Sequence, residues 1–122
     1  MDSTTTLQEL KEAIRKFCEE RDWDQYHNPK DLAIGIITEA SELLEHFLWK
    51  SEKDVAGLVN DPAKKEQIED EMADVLYFLL RLSEKYNIDL SEALLRKIQK
   101  NAKKYPVEKA KGSSKKYTEL GE

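Results

Sequence analysis

The sequence is poor in what builds a sheet protein or a cross-linked one. Four glycines and three prolines in 122 residues leave too little turn chemistry for a sandwich of many short strands. A single cysteine, Cys18, excludes an internal disulfide and fits a reducing, cytoplasmic setting. No run approaches the ~18 consecutive apolar residues of a membrane span, so no membrane partner is expected. The start, MDSTTTLQEL, lacks a basic stretch followed by an apolar one and does not read as a signal peptide. The length suits one domain and is too short for two.

Charge is what the chain has in quantity, at 37% of residues, and it is unevenly spread. Residues 1–95 carry 11 Lys/Arg against 22 Asp/Glu, whereas residues 96–122 carry 9 against 3. A basic end can grip a small polyphosphate or nucleic acid, or simply be solvated. The acidic body argues against a broad nucleic-acid footprint, and no nucleic-acid partner is expected. So small a domain gains from sharing apolar faces with copies of itself.

Apolar spacing predicts four helices. The first covers about residues 6–21, with Leu7, Leu10, Ile14 and Phe17 on one face. A polar, aromatic segment, Asp22 to Pro29, leads into a second helix over about 30–50. A linker, 51–60, holds at most a turn of helix capped by Ser51. Asp61-Pro62 starts a third helix that runs to about Tyr86. Ser91 is the expected cap of a fourth, ending near Lys104 because Pro106 cannot continue it. The remainder, 107–122, reads as an extended, partly flexible basic tail behind a domain of residues 1–106.

The two long helices share a chemical pattern. Glu39-x-x-Glu42 and Glu71-x-x-Asp74 each place two carboxylates on one side of a helix. With Asp74 at zero and 100° per residue, the apolar side chains of the third helix fill an arc from about 40° to 160°. Glu71 falls inside it at about 60°, and Asp74 at its edge. Glu69 and Asp70 lie well outside. Glu39 and Glu42 border the apolar face of the second helix, from which Glu45 points away. Acids on a core-facing stripe need compensation. Lys or Arg neutralisation and a turn of the helices towards solvent are two routes; a hard divalent cation with oxygen ligands is a third. His46, one turn after Glu42, leaves a softer metal open.

These acids, with Arg21-Asp-Trp-Asp-Gln-Tyr-His27, Phe47-Leu-Trp-Lys50, Asn101-x-x-Lys104-Tyr105-Pro106 and Ser113-Ser-Lys-Lys-Tyr-Thr-Glu-Leu120, resemble the MazG-type all-α nucleoside triphosphate pyrophosphatases, and among them the dCTP pyrophosphatase branch. The resemblance spans nearly the whole chain. It implies an all-α, four-helix bundle core that assembles into a homo-oligomer, a tetramer built as a dimer of dimers. It implies Mg²⁺, with Mn²⁺ as a substitute, and hydrolysis of a nucleoside triphosphate to monophosphate and pyrophosphate. Carried over by position, Glu39, Glu42, Glu71 and Asp74 would be the metal ligands, with Glu42 or Glu39 taking a proton from the attacking water. Trp23, His27 and Trp49 would line the base and sugar pocket, while Lys97, Asn101, Lys104 and Tyr105 would face the phosphates. Phe78 stands where the branch commonly has Tyr, and Ile14 where a His is expected; both positions would touch the nucleoside, so the base preference is the open point. A non-catalytic nucleotide- or metal-binding regulator on the same fold, a helical interaction module, and a basic-tail nucleic-acid binder are the alternatives.

Overall fold

The structure, a computed structural model, describes residues 1–121. Each of the five longer helices starts where a side chain satisfies an orphan N–H group of its first turn. Thr6 opens α1 (Leu7–Glu20) with a reciprocal capping box to Glu9. Asn28 accepts from the Asp31 N–H at 2.9 Å and Pro29 takes the first position of α2 (Pro29–Glu45). Ser51 caps α3 (Glu52–Asn60), and Asp61 caps α4 (Pro62–Lys85). Asp89, two residues before the expected Ser91, caps α5 (Leu90–Lys104) by accepting from Glu92 N–H at 2.9 Å. A four-residue α6 (Val107–Ala110) and 3₁₀ turns at Asp24–Tyr26 and Tyr117–Glu119 complete the described residues, which contain no strand.

Three elements differ from the periodicity reading. The second helix stops at Glu45 rather than near Lys50, and residues 46–49 are turns. Trp49 adopts φ 62°, a left-handed conformation that ends the helical path and redirects the chain into the Ser51 cap. The linker is itself a nine-residue helix, α3. Residues 107–121 carry α6 and a 3₁₀ turn rather than a wholly extended path; Glu122 lies outside the described residues.

The chain forms two compact units, Met1–Asn87 and a second beginning at Ile88. In the first, α2 and α4 are the main packing pair, and α1 and α3 pack on α4. The pair is antiparallel: Gly35 meets Phe78, while Glu39 and Glu42 meet Glu71. Gly35 is required there, because a Cβ would lie 2.6 Å from the Phe78 ring. Cys18, Leu32, Ile68 and Leu80 are buried, and Tyr77 Oη sits 3.2 Å from Cys18 Sγ, tying α1 to α4. In the second unit, the Lys104 ammonium lies 4.8 Å over the Tyr117 ring, and Tyr105 meets that ring edge-on at 6.0 Å. No helix among the described residues is long and apolar enough to cross a membrane.

Candidate metal centre and substrate site

Glu39 and Glu42 from α2 and Glu71 from α4 each present a carboxylate oxygen, all within 4.8 Å of one another. The arrangement follows from helix geometry: the i, i+3 pair on α2 faces the one acid on α4 that falls within the apolar arc. Glu39 and Glu71 are half-buried, and the Oε2 atom of each is buried with no hydrogen-bond partner. A buried carboxylate oxygen without a donor is unfavourable. Glu39 and Glu71 accordingly keep their protons to higher pH than an isolated glutamate. The Glu42 carboxyl, close enough to share a proton, pushes Glu39 up to about 7, helped by burial and by the charges of Glu42, Asp74 and Glu71. Burial first, then Glu42, raises Glu71, against the opposing pull of His46.

Asp74 lies outside the set of three, although its charge acts on both Glu39 and Glu71. It is exposed one turn beyond Glu71, as its place at the edge of the apolar arc dictates. His46 is also outside the set, with Nε2 3.8 Å from Glu71 Oε1. The donors are therefore three carboxylates with two orphaned oxygens, a set that fits a hard divalent cation better than a soft one. An open cleft of about 590 Å³ adjoins it. Glu42, Glu45, His46 and Lys50 line it from α2 and the turn that follows, and Lys64, Gln67 and Glu71 from α4.

The Trp23–His27 segment is held by a group that periodicity does not reveal. Arg81, 1% exposed, donates from Nε to His27 Nδ1 at 2.9 Å, from one terminal nitrogen to Glu84 at 2.6 Å and from the other to Asp24 at 3.0 Å. Lys85 donates to the carbonyls of His27 and Asp24 and pairs with the Asp24 carboxylate. Lys85 foremost, with Arg81, holds the Asp24 carboxyl below its usual range, while burial and then the two cations depress His27. The imidazole is thus neutral with Nδ1 as acceptor, which leaves its proton on Nε2. Trp23 packs edge-on against Phe17 at 5.5 Å and His27 at 6.4 Å.

Trp49 is 94% exposed at its left-handed turn, an unusual setting for so large an apolar side chain. Phe78 is half-buried, pressed against Gly35 and edge-on to Tyr77 at 5.1 Å. Lys97, Asn101 and Lys104 sit on exposed positions of α5, and Tyr105 is its C-cap.

Fold and cluster together define an all-helical protein with a carboxylate site built across two long antiparallel helices. The MazG-like family model matches residues 34–120, and the chain belongs to the MazG-like family. It is 35% identical to dCTP pyrophosphatase 1 of Mus musculus over 115 residues, 94% of this chain and 68% of that protein. The Homo sapiens protein of the same name is 36% identical over the same shares. A solved pyrophosphatase from Archaeoglobus fulgidus matches with TM-score 0.76 and 40% identity, covering 82% of this chain and 92% of that one.

Proposed function

We propose that this chain hydrolyses a pyrimidine deoxynucleoside triphosphate, dCTP or a modified relative, to the monophosphate and pyrophosphate with Mg²⁺, and so clears such nucleotides from the pool. The enzyme class, a nucleoside triphosphate pyrophosphatase, accords with the family and with relatives named dCTP pyrophosphatase. The observation that carries the reading is the three-carboxylate cluster with its two orphaned buried oxygens.

Glu39, Glu42 and Glu71 would hold the ion, with Asp74 adjoining. Mg²⁺, or Mn²⁺ in its place, would polarise phosphate oxygens and lower the pKa of a bound water. Glu42 or Glu39, beside the ion, would take the proton of the attacking water. Trp23 and Trp49 offer flat faces for the base, and His27 offers an Nε2–H donor to an acceptor on base or sugar. Phe78 at the tyrosine position of the branch removes a hydroxyl, which favours an apolar substituent there over a hydrogen-bonding one. Lys97, Asn101, Lys104 and Tyr105 are assigned to the phosphates by the family pattern. We assign this chemistry to a domain of residues 1–106, with residues 107–122 as a basic tail.

Self-association fits the apolar side chains left on α2 and α4, among them Ile34, Ile37, Leu44, Met72, Leu76 and Leu79. A homotetramer in the cytoplasm is the assembly and setting we assign. A pyrophosphate-release panel of canonical and modified dNTPs, with and without Mg²⁺, tests the proposal. Release from cytosine nucleotides only with metal supports it; no release from any nucleotide overturns it.

A further inference from the structure

The cleft beside the acid cluster has a direction. On α4, Lys64, Gln67 and Glu71 stand at i, i+3 and i+7, one stripe about 10 Å long. On the other wall, Glu42 lies within α2 and Lys50 just past its end. Because α2 and α4 are antiparallel, both walls run the same way, from carboxylates (Glu42 and then Glu45 on one, Glu71 on the other) to an ammonium at the far end. Lys50 and Lys64 form no ion pair among the described residues, whereas the neighbouring Lys65 is paired with Glu69. Leu58 is the one apolar side chain among the lining residues, and the one ring there is the His46 imidazole, turned to Glu71 at 3.8 Å. No indole, phenol or phenyl face is there for a base to stack on.

The geometry points to this cleft as the binding site of the pyrophosphate end of the substrate, with Lys50 and Lys64 as the anion-binding groups and Gln67 as an uncharged donor between Lys64 and the acids. The inference rests on the reading of the chain as a triphosphate pyrophosphohydrolase and, for the two outer phosphoryl groups, takes Lys50 and Lys64 in place of the Lys97, Asn101, Lys104 and Tyr105 of the family pattern. A phosphoryl group held with a cation by Glu42 and Glu71 would leave two further phosphoryl groups for the stripe. Ammonium groups without a carboxylate partner give up no ion pair when they receive that charge, and lysine serves phosphate as a point charge. The same residues retain inorganic pyrophosphate after hydrolysis, which makes the product a competitive inhibitor.

Calorimetric titration of the full chain with magnesium pyrophosphate, and separately with magnesium and dCMP, provides the test. The wild type binds pyrophosphate. Lys50→Ala and Lys64→Ala each weaken that binding by about tenfold, the double variant by more, and Lys64→Arg restores it to within about threefold. dCMP affinity stays within about twofold of wild type, and KM for the triphosphate rises with the loss of pyrophosphate affinity. No pyrophosphate binding by the wild type, unchanged binding in the double variant, or an equal fall in dCMP affinity overturns the assignment. If the wild type hydrolyses no nucleotide, the functional reading fails; the pyrophosphate titration still decides the cleft on its own.

Discussion

Titrating Mg²⁺ into the protein at pH 6 and at pH 8 separates a proton-sharing carboxylate cluster from three independent surface acids. Glu39 is raised from its ordinary 4.5 to about 7, so it is about nine-tenths protonated at pH 6 and about one-tenth at pH 8. A divalent cation needs the carboxylate form, so binding displaces about 0.9 proton at pH 6 and about 0.1 at pH 8. Competition with that proton weakens the apparent affinity at pH 6 by roughly tenfold relative to pH 8. The upward shift of Glu71 acts in the same direction. Ordinary surface glutamates release almost nothing at either pH. Calorimetry in two buffers of different ionisation heat counts the protons directly. Glu39→Gln, which cannot ionise, removes most of the release. Stability carries the same sign. Between 4.5 and 7 the metal-free folded chain retains a proton that the unfolded chain has lost, so this contribution falls as pH rises through that window. Mg²⁺ therefore raises Tm more at pH 8 than at pH 6. Equal affinities at the two pH values, or release below about 0.3 proton at pH 6, refute the shared-proton account.

Glu39→Ala or Asp74→Ala abolishes turnover with the helical circular dichroism unchanged; substantial residual activity in both removes these acids from the reaction. Glu71→Ala also eliminates the Mg²⁺-dependent rise in Tm, and a rise equal to wild type shows the ion binding elsewhere. Arg81→Met leaves Glu84, His27 and Asp24 without their shared donor and costs about 3 kcal/mol, a fall in Tm of about 10 °C by differential scanning fluorimetry; a change below about 2 °C shows that the network does not hold the loop. Gly35→Ala adds a good helix former, worth about 1 kcal/mol, but its Cβ displaces the Phe78 ring, and overpacking costs about 1–3 kcal/mol. The urea midpoint therefore falls, and a higher midpoint means that Phe78 has room to move.

Local chemistry was legible in the chain itself. Residues such as Thr6, Asn28, Ser51 and Asp61 set helix starts through side chains next to the N–H groups they satisfy. A period of 3.6 was enough to place Glu71 among apolar neighbours, and the family pattern covered most of the same residues. Three features were not legible. Trp49 turns left-handed because α3 must begin where it does, which a count of periodic positions does not register. Arg81 falls at about 340° on the wheel that placed Glu71, outside the apolar arc, and looks like a solvated charge. It is buried because the Trp23–His27 segment closes over it from more than fifty residues away. The cleft of Lys50 and Lys64 arises only when α2 and α4 lie antiparallel and bring the ends of separate segments to one place. Helix starts, faces and acid spacing are properties of neighbours along the chain, so the sequence determined them. The raised proton affinity of Glu39 and Glu71 and the direction of charge in the cleft depend on distances between segments that the packing of α2 against α4 decided, and the burial of Arg81 on the closure of the Trp23–His27 segment over α4.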